Sequence, residues 1–169
     1  MEEVFLGLGS NEGSPRDTIN AAFERLCQIL SSARLSPLWR SRARYYRDQP
    51  DFVNAAAAGQ CSLSPRELLR AVNEIEAEFG RDRSREIKKG PRPLDIDILL
   101  YGRQIVAEPD LIIPHAGLRE RKFALLPLTE LDPGLTDPVS GRSYLSILAS
   151  LPPQGIYLLD CPDYDLLYT

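Results

Sequence analysis

Hydrophobic residues recur along this chain with two different periods, and the change from one period to the other predicts its elements. Two stretches carry apolar side chains at every third or fourth position, as amphipathic helices do, and each begins with a Ser-Pro pair: residues 15–30 and 65–79. Four shorter runs are apolar or alternate between apolar and small or polar residues, as strands do: residues 4–9, 35–39, 52–61 and 94–100.

The resulting order of strand, helix, strand, strand, helix, strand predicts an α+β fold of the ferredoxin-like β-α-β-β-α-β type. We expect a two-layer sandwich in which an antiparallel sheet carries both helices on one face. The C-terminal part should add shorter elements: a strand within 104–106, a helix or loop at 123–128, a helix at 143–149 and an edge strand at 156–159. With 169 residues, the chain is expected to form one domain. The sequence indicates no role for the tail at residues 152–169.

The composition is that of a globular protein, with 43% hydrophobic and 26% charged residues. No apolar run approaches the roughly 20 residues of a membrane span, and the N-terminus does not have the pattern of a signal peptide. We therefore expect a cytoplasmic monomer with no membrane or nucleic-acid partner. The three cysteines are odd in number and widely spaced, which predicts buried free thiols and neither a zinc site nor a disulfide framework.

The most informative stretch is GPRPLDIDILLYG, at residues 90–102. Asp95 and Asp97 alternate with apolar residues, so a strand would direct both carboxylates to the same face. Residues two apart on a strand lie about 7 Å apart, and two-metal phosphoryl-transfer sites hold their cations about 3.5–4 Å apart. The alternative is the solvent-facing side of an ordinary amphipathic strand, which is the commoner explanation of an isolated Asp-x-Asp.

The segment before this strand is basic, although the net charge of the chain is −4. Between residues 81 and 92 there are six cationic residues and two acidic ones. A cationic loop beside a carboxylate pair favours a polyanion held through metal ions over nucleic acid alone.

Three further polar residues occupy informative positions. Asn54 begins an alanine-rich strand and can both donate to and accept from the amide edge of a ligand. Glu76 borders the apolar stripe of the second helix, where a glutamate usually covers the rim of a core. His115 is the single histidine, so it cannot anchor a zinc site alone, and a surface or capping role is its usual explanation.

Four motifs occur in order over about residues 4–150: GLGSN, DQPDFVNAA, GPRPLDIDILLYG and IPHAGLRERKFALLPL. Together they resemble the 6-hydroxymethyl-7,8-dihydropterin pyrophosphokinase family of folate synthesis. It implies transfer of the β,γ-pyrophosphate of ATP to the hydroxymethyl group of hydroxymethyldihydropterin, with release of AMP. ATP and the pterin would be the partners, and two Mg²⁺ ions would bind with the ATP.

The resemblance also implies roles for individual residues. The catalytic group would consist of Arg81, Arg92, Asp95 and Asp97, and the two aspartates would be the metal ligands. The pterin would be bound by Phe52, Asn54, Asp95 and Phe123, with Phe123 stacking on its ring. The nucleotide would be bound by Glu76, Arg83, Arg92, His115 and Arg121.

The chain departs from the family pattern on the nucleotide side. Asp110, Ile112 and Ala116 stand where polar, basic or aromatic residues are common, and the loop at 82–89 carries a Lys-Lys pair where a closing aromatic is common. This loop contains one large apolar residue, so we expect it to be mobile until bound MgATP orders it as a lid.

Three other functions are disfavoured. An RNA-binding module of this topology would need exposed aromatic residues on its central strand, and the strand here reads AAAAGQC. A dinucleotide-binding turn would need different glycine spacing after the first strand. A catalytically silent homologue would not be expected to keep both aspartates, both arginines and Asn54.

Overall fold

The computed structural model describes residues 1–43, 49–82, 84 and 90–159, and the following account concerns these residues. The first half of the fold contains β1 (Glu2–Ser10), α1 (Pro15–Leu26), β2 (Leu30–Leu35), β3 (Trp39–Ser41), β4 (Phe52–Cys61) and α2 (Pro65–Glu78). The second half contains β5 (Asp95–Tyr101), β6 (Val106–Glu108), β7 (Leu111–Ile113), a short 3-10 helix (Leu118–Glu120), α3 (Lys122–Leu131), α4 (Tyr144–Ser150) and β8 (Ile156–Leu158).

The main sheet has the strand order β5-β1-β4-β3-β8, and β2 pairs with β4 on the same side as β3. All of these pairings are antiparallel. β6 and β7 form a separate two-stranded ribbon. The prediction of an α+β fold built on an antiparallel sheet is therefore confirmed.

The sheet is covered on both faces. Alternate residues of β1, such as Leu6 and Leu8, pack with α1 and α2 in one core. On the opposite face Phe5 and Leu99 pack with α3 and α4 in a second core. α1 and α2 thus share one face, as expected, but the prediction of two layers is wrong, because the C-terminal additions cover the other face as a third layer. Because both sides of the central strands carry apolar residues, both sides must be covered.

The predicted strand at 35–39 is also wrong, because the structure has a break there between β2 and β3. Pro37 has no N–H to donate to a ladder. Ser36 closes the gap, since its N–H donates to the carbonyl of Ala56 at 2.9 Å and its Oγ accepts from the N–H of Ala56 at 2.9 Å. The backbone of β4 is thereby satisfied across the interruption.

The predicted strand within 104–106 is shifted, because β6 begins only at Val106 and ends at Glu108. The other predicted C-terminal elements are confirmed. α4 and the edge strand β8 lie where the pattern placed them, and the helix-or-loop segment at 123–128 belongs to α3. One cysteine prediction fails, because Cys27 at the end of α1 is exposed, whereas Cys61 is buried. None of the described helices is long and apolar enough to cross a membrane.

A buried carboxylate anchors the third layer. Asp137 is fully buried and accepts hydrogen bonds from Arg119 Nε at 2.7 Å, Ser140 Oγ at 2.6 Å and the N–H of Val139 at 3.1 Å. Burial alone would raise the pKa of Asp137, but these bonds and the charge of Arg119 lower it to about 2.

The Asp137→Asn substitution should lower the free energy of unfolding by about 2 kcal/mol near neutral pH, since each pKa unit is worth about 1.4 kcal/mol. The folded-state pKa lies below the unfolded value of about 3.9. The stabilisation is therefore present above about pH 4 and is lost as the pH falls through about 2. Urea unfolding at several pH values checks this, with Asp132→Asn as the control. A difference that does not change with pH would show that packing, and not charge, is responsible.

Candidate active site

Two glycines of β1 form an open floor between the predicted site residues. Asp97 and Asp95 on β5 pair in register with Gly7 and Gly9, and Gly9 pairs on its other side with Asn54 of β4. A Cβ atom on Gly9 would lie 3.6 Å from Oδ1 of Asn54. A Cβ atom on Gly7 would lie 3.3 Å from a methyl group of Leu99. Because both glycines lack a side chain, β1 leaves room there for the side chains of the neighbouring strands.

A cavity of about 180 Å³ lies over this floor. Among its lining residues are all those predicted to bind the pterin, together with two of the predicted arginines: Phe52, Asn54, Asp95, Phe123, Arg92 and Arg121. Gly7 and Gly9 also line it. We call this space the first cavity.

A second cavity, of about 420 Å³, lies on the side of β5 away from β1. His115 lines it, together with the three residues that depart from the family pattern: Asp110, Ile112 and Ala116. Asp97 lines both cavities. This carboxylate is therefore placed where ligands in the two cavities would meet.

Asp95 is held between two arginines. Arg81 Nη1 lies 2.6 Å from one carboxylate oxygen, and Arg92 Nη1 lies 2.9 Å from the other. Arg81 also bonds to Glu76 Oε1, and the same oxygen accepts from the N–H of Ile96 at 2.7 Å. Glu76 is 1% exposed, so it is a buried residue that holds Arg81 and β5, and it lines neither cavity.

Asp97 is in a different electrostatic position. Its pKa is raised to about 7, first because the surrounding protein strips water from the carboxylate and second because Asp95 is a like charge. Arg121, Arg81 and Arg92 oppose this shift. The side chain is 37% exposed, so a ligand can reach the carboxylate.

His115 reaches Asp97 from the rim of the second cavity. Its Nδ1 accepts from the N–H of Gly117 at 3.2 Å, which leaves the proton of a neutral imidazole on Nε2. Nε2 lies 3.7 Å from Oδ1 of Asp97. Desolvation, followed by the charge of Arg121, lowers the pKa of His115, which favours the neutral form.

The carboxylate pair fits Mg²⁺. Carboxylate oxygens are the hard ligands that this ion prefers, and it is usually held by one or two of them together with substrate phosphates. A cation would also offset the repulsion that raises the pKa of Asp97. Among the described residues there is no group of three or more His, Cys, Asp or Glu side chains that could hold a metal, so oxygens from a substrate or water would complete the shell.

Arg121 lies on the wall of the first cavity, although the resemblance assigned it to the nucleotide. Its guanidinium group lies 5.9 Å from the centre of the Phe123 ring, within the range of a cation–π contact. It also packs against Gly117, where a Cβ atom would lie 2.5 Å from Nε of Arg121. Gly117 therefore orients both Arg121 and His115.

The other nucleotide-side residues are only partly described. Asp110, which lines the second cavity, pairs with Arg66 of α2 at 2.6 Å, so its charge is partly balanced by that arginine. Arg83 and residues 85–89 lie outside the described residues, and the prediction of a mobile lid falls largely on them.

Asn11 is a site residue that the sequence analysis missed. Its Oδ1 accepts from the N–H of Arg92 at 2.9 Å, and its Nδ2 donates to Gln49 Oε1 at 3.0 Å and to the carbonyl of Pro50 at 3.1 Å. It is 2% exposed. Asn11 thus joins the turn after β1 to the segments before β4 and β5. The GLGSN motif contains Asn11, but its partners are 38 to 81 residues away in the sequence.

The Asn11→Ala substitution should lower the free energy of unfolding by about 1–3 kcal/mol, because it leaves buried polar groups unpaired, and it should lower turnover by loosening Arg92. Urea unfolding and steady-state kinetics measure the two effects. Asn11→Asp keeps the acceptor for Arg92 and should retain more activity than Asn11→Ala. The exposed Asn20→Ala is the control. Equal activity in Asn11→Ala and the wild type would contradict this role.

Two neighbouring carboxylates, one of which lines both cavities, with arginines beside them, form the arrangement of a metal-dependent phosphoryl-transfer enzyme. The model of the 7,8-dihydro-6-hydroxymethylpterin-pyrophosphokinase (HPPK) family matches residues 5–133. The chain belongs to this family.

Individual relatives agree with this result. The chain is 43% identical over 159 residues to the 2-amino-4-hydroxy-6-hydroxymethyldihydropteridine pyrophosphokinase of Pseudomonas aeruginosa, which covers 92% of this chain and 96% of that protein. It is 37% identical over 139 residues to the enzyme of the same name from Aquifex aeolicus, with 82% and 86% covered.

The fold is also similar to that of solved structures. A crystal structure of Plasmodium falciparum HPPK-DHPS matches with a TM-score of 0.67 and 15% identity over 88% of this chain. The chain spans 43% of the length of that structure. At this identity the likeness supports the fold alone.

Proposed function

We propose that this chain transfers the β,γ-pyrophosphate of ATP to the hydroxymethyl group of 6-hydroxymethyl-7,8-dihydropterin, giving the pterin diphosphate and AMP, as a step of folate biosynthesis. Membership of the pyrophosphokinase family supports the reaction. The observation that carries the proposal at the level of the site is the position of Asp97, which lines both cavities.

The first cavity is the proposed pterin site. Asn54 Nδ2 donates to Ser41 Oγ at 2.8 Å and to the carbonyl of Trp39 at 3.5 Å. Because both N–H groups have partners, the Oδ1 atom would be the group that accepts from the amino and ring N–H groups of a pterin. Phe52 and Phe123 supply the aromatic faces that a flat heterocycle needs.

The second cavity is the proposed ATP site. His115 would donate its Nε2–H to a phosphate oxygen without adding a full charge, because its pKa is lowered by desolvation.

Arg92 lines the first cavity and uses one guanidinium nitrogen on Asp95. Its planar fork suits the bridging of phosphate oxygens as negative charge develops on them.

Asp95 and Asp97 would hold the Mg²⁺ ions that accompany ATP. Bound there, the ions would neutralise the triphosphate and polarise the phosphoryl group that is transferred. Arg81 and Glu76 would act as positioning residues, because they fix Asp95 and the backbone of β5.

We also propose a ferredoxin-like arrangement of the strands and a single domain. The order β5-β1-β4-β2 supports a ferredoxin-like arrangement of the strands that flank α1 and α2. The pairing of β8 with β3 supports a single domain that includes residues up to 159. A monomer in the cytoplasm remains the expectation.

The test is to follow AMP by chromatography after mixing ATP and Mg²⁺ with the protein, with and without hydroxymethyldihydropterin. AMP should form only when the pterin is present. Formation of ADP would contradict pyrophosphate transfer, AMP without pterin would indicate hydrolysis, and no nucleotide product would indicate a silent homologue.

The Asp97→Asn substitution should reduce turnover by at least about 10³-fold, because it removes one of two metal-holding carboxylates from the place where charge develops. The fold should survive, because the negative charge of Asp97 is unfavourable in the metal-free protein, as its raised pKa indicates. Asp110→Asn is the matched control on the rim of the second cavity, and it should alter the affinity for ATP more than turnover. Turnover like that of the wild type in Asp97→Asn at saturating Mg²⁺ would refute this role.

A further inference from the structure

The chain after α4 returns to the site along a route that the sequence analysis left without a role. Residues 152–159, which we call the C-terminal arm, lie beyond the residues 5–133 that match the family model. The arm is attached at two places, through the side chain of Gln154 and through β8. Both attachments are to segments that line the first cavity.

The first attachment completes the start of α3. Gln154 Oε1 accepts from the N–H of Lys122 at 2.9 Å, and its Nε2 donates to the carbonyl of Glu120 at 2.9 Å. Arg121, the N-cap residue of α3, provides no side-chain cap of its own. Gln154 therefore supplies an acceptor that a helix start requires, and it fixes the backbone on both sides of Arg121.

The consequence for the cavity follows from sequence adjacency. Arg121 and Phe123 both line the first cavity, and they directly flank Lys122, whose N–H is bound by Gln154. Arg121 is the N-cap residue and Phe123 lies in the first turn of α3, so the position of the helix start decides where the guanidinium group and the aromatic ring lie in the cavity.

The second attachment holds the opposite wall. β8 pairs with β3, so that Ile156 lies opposite Ser41, and the N–H of Arg42 donates to the carbonyl of Gly155 at 3.3 Å. Ser41 and Arg42 line the first cavity, and Ser41 Oγ is the acceptor for Asn54. One short segment thus contacts both walls of the same cavity.

We propose that the C-terminal arm is a brace that sets the width of the first cavity, and that Gln154 is a positioning residue for pterin binding. The proposal rests on the proposed function, because it takes the pterin as the occupant. A flat ring held between an aromatic side chain and a glycine floor tolerates little displacement of either wall. Loss of the Gln154 bonds should therefore weaken pterin binding more than ATP binding.

The experiment measures the dissociation constants of the pterin and of a non-hydrolysable ATP analogue with Mg²⁺, by calorimetry, for the full chain and its variants. Gln154→Ala should weaken pterin binding about tenfold and change binding of the ATP analogue less than about twofold, a tenfold change being equivalent to about 1.4 kcal/mol. Gln154→Glu keeps the acceptor for Lys122 and should recover part of the loss. Gln104→Ala, at an exposed glutamine that does not line the first cavity, is the control.

The fluorescence of Trp39 distinguishes a local change around Gln154 from detachment of the whole C-terminal arm. This residue is the single tryptophan of the chain, and it lies on β3 opposite Leu158 of β8. Its emission in the ligand-free variants should match that of the wild type, which would show that β8 remains paired. If Gln154→Ala does not fold, Gln154→Glu takes its place, with a smaller loss of pterin affinity expected.

Unchanged pterin affinity in a folded Gln154 variant would overturn the brace, as would an equal loss for pterin and nucleotide. Failure of the proposed function is a separate outcome, since it would appear as a lack of AMP formation by the wild type. A merely structural role would lower the melting temperature and leave the ratio of the two affinities as it is in the wild type.

Discussion

Two carboxylates project from the same face of β5, and much of the surrounding structure is explained by the need to hold their charge. Asp95 is neutralised by Arg81 and Arg92. Asp97 is left with a raised pKa of about 7, because it is desolvated and faces Asp95. A site in this state is ready for a cation and for the polyanion that the cation accompanies.

The supports of this pair come from distant parts of the chain. Glu76 brings α2 to β5, where it bonds to both Arg81 and the N–H of Ile96. Asn11 brings the turn after β1 to Arg92. The glycines of β1 keep the floor empty, and the third layer supplies Phe123 and Arg121 as a wall. Several distant segments of the fold therefore hold Asp95 and Asp97 close together, although their charges repel each other.

Whether a feature of the fold or the site could be predicted depends on how far apart in the sequence the interacting residues lie. The common face of Asp95 and Asp97 follows from the period of a strand, and the element order follows from apolar spacing. Contacts between residues that lie far apart in the sequence could not be predicted from these patterns. The burial of Glu76 and the roles of Asn11 and Gln154 each depend on a partner at least 20 residues away. The break between β2 and β3, by contrast, could have been predicted from Pro37, which has no N–H for a ladder. Glu76 shows the limit most clearly, because its pattern indicated the rim of a core, whereas its hydrogen bonds allow full burial.

The most direct test of the account is the location of the metal. Crystals of the protein grown with Mn²⁺, a non-hydrolysable ATP analogue and the pterin would reveal the ion by its anomalous scattering. The account predicts manganese coordinated by oxygens of both Asp95 and Asp97, with the nucleotide in the second cavity and the pterin in the first. Manganese bound away from either carboxylate, with Asp95 still paired to Arg81 and Arg92, would contradict it.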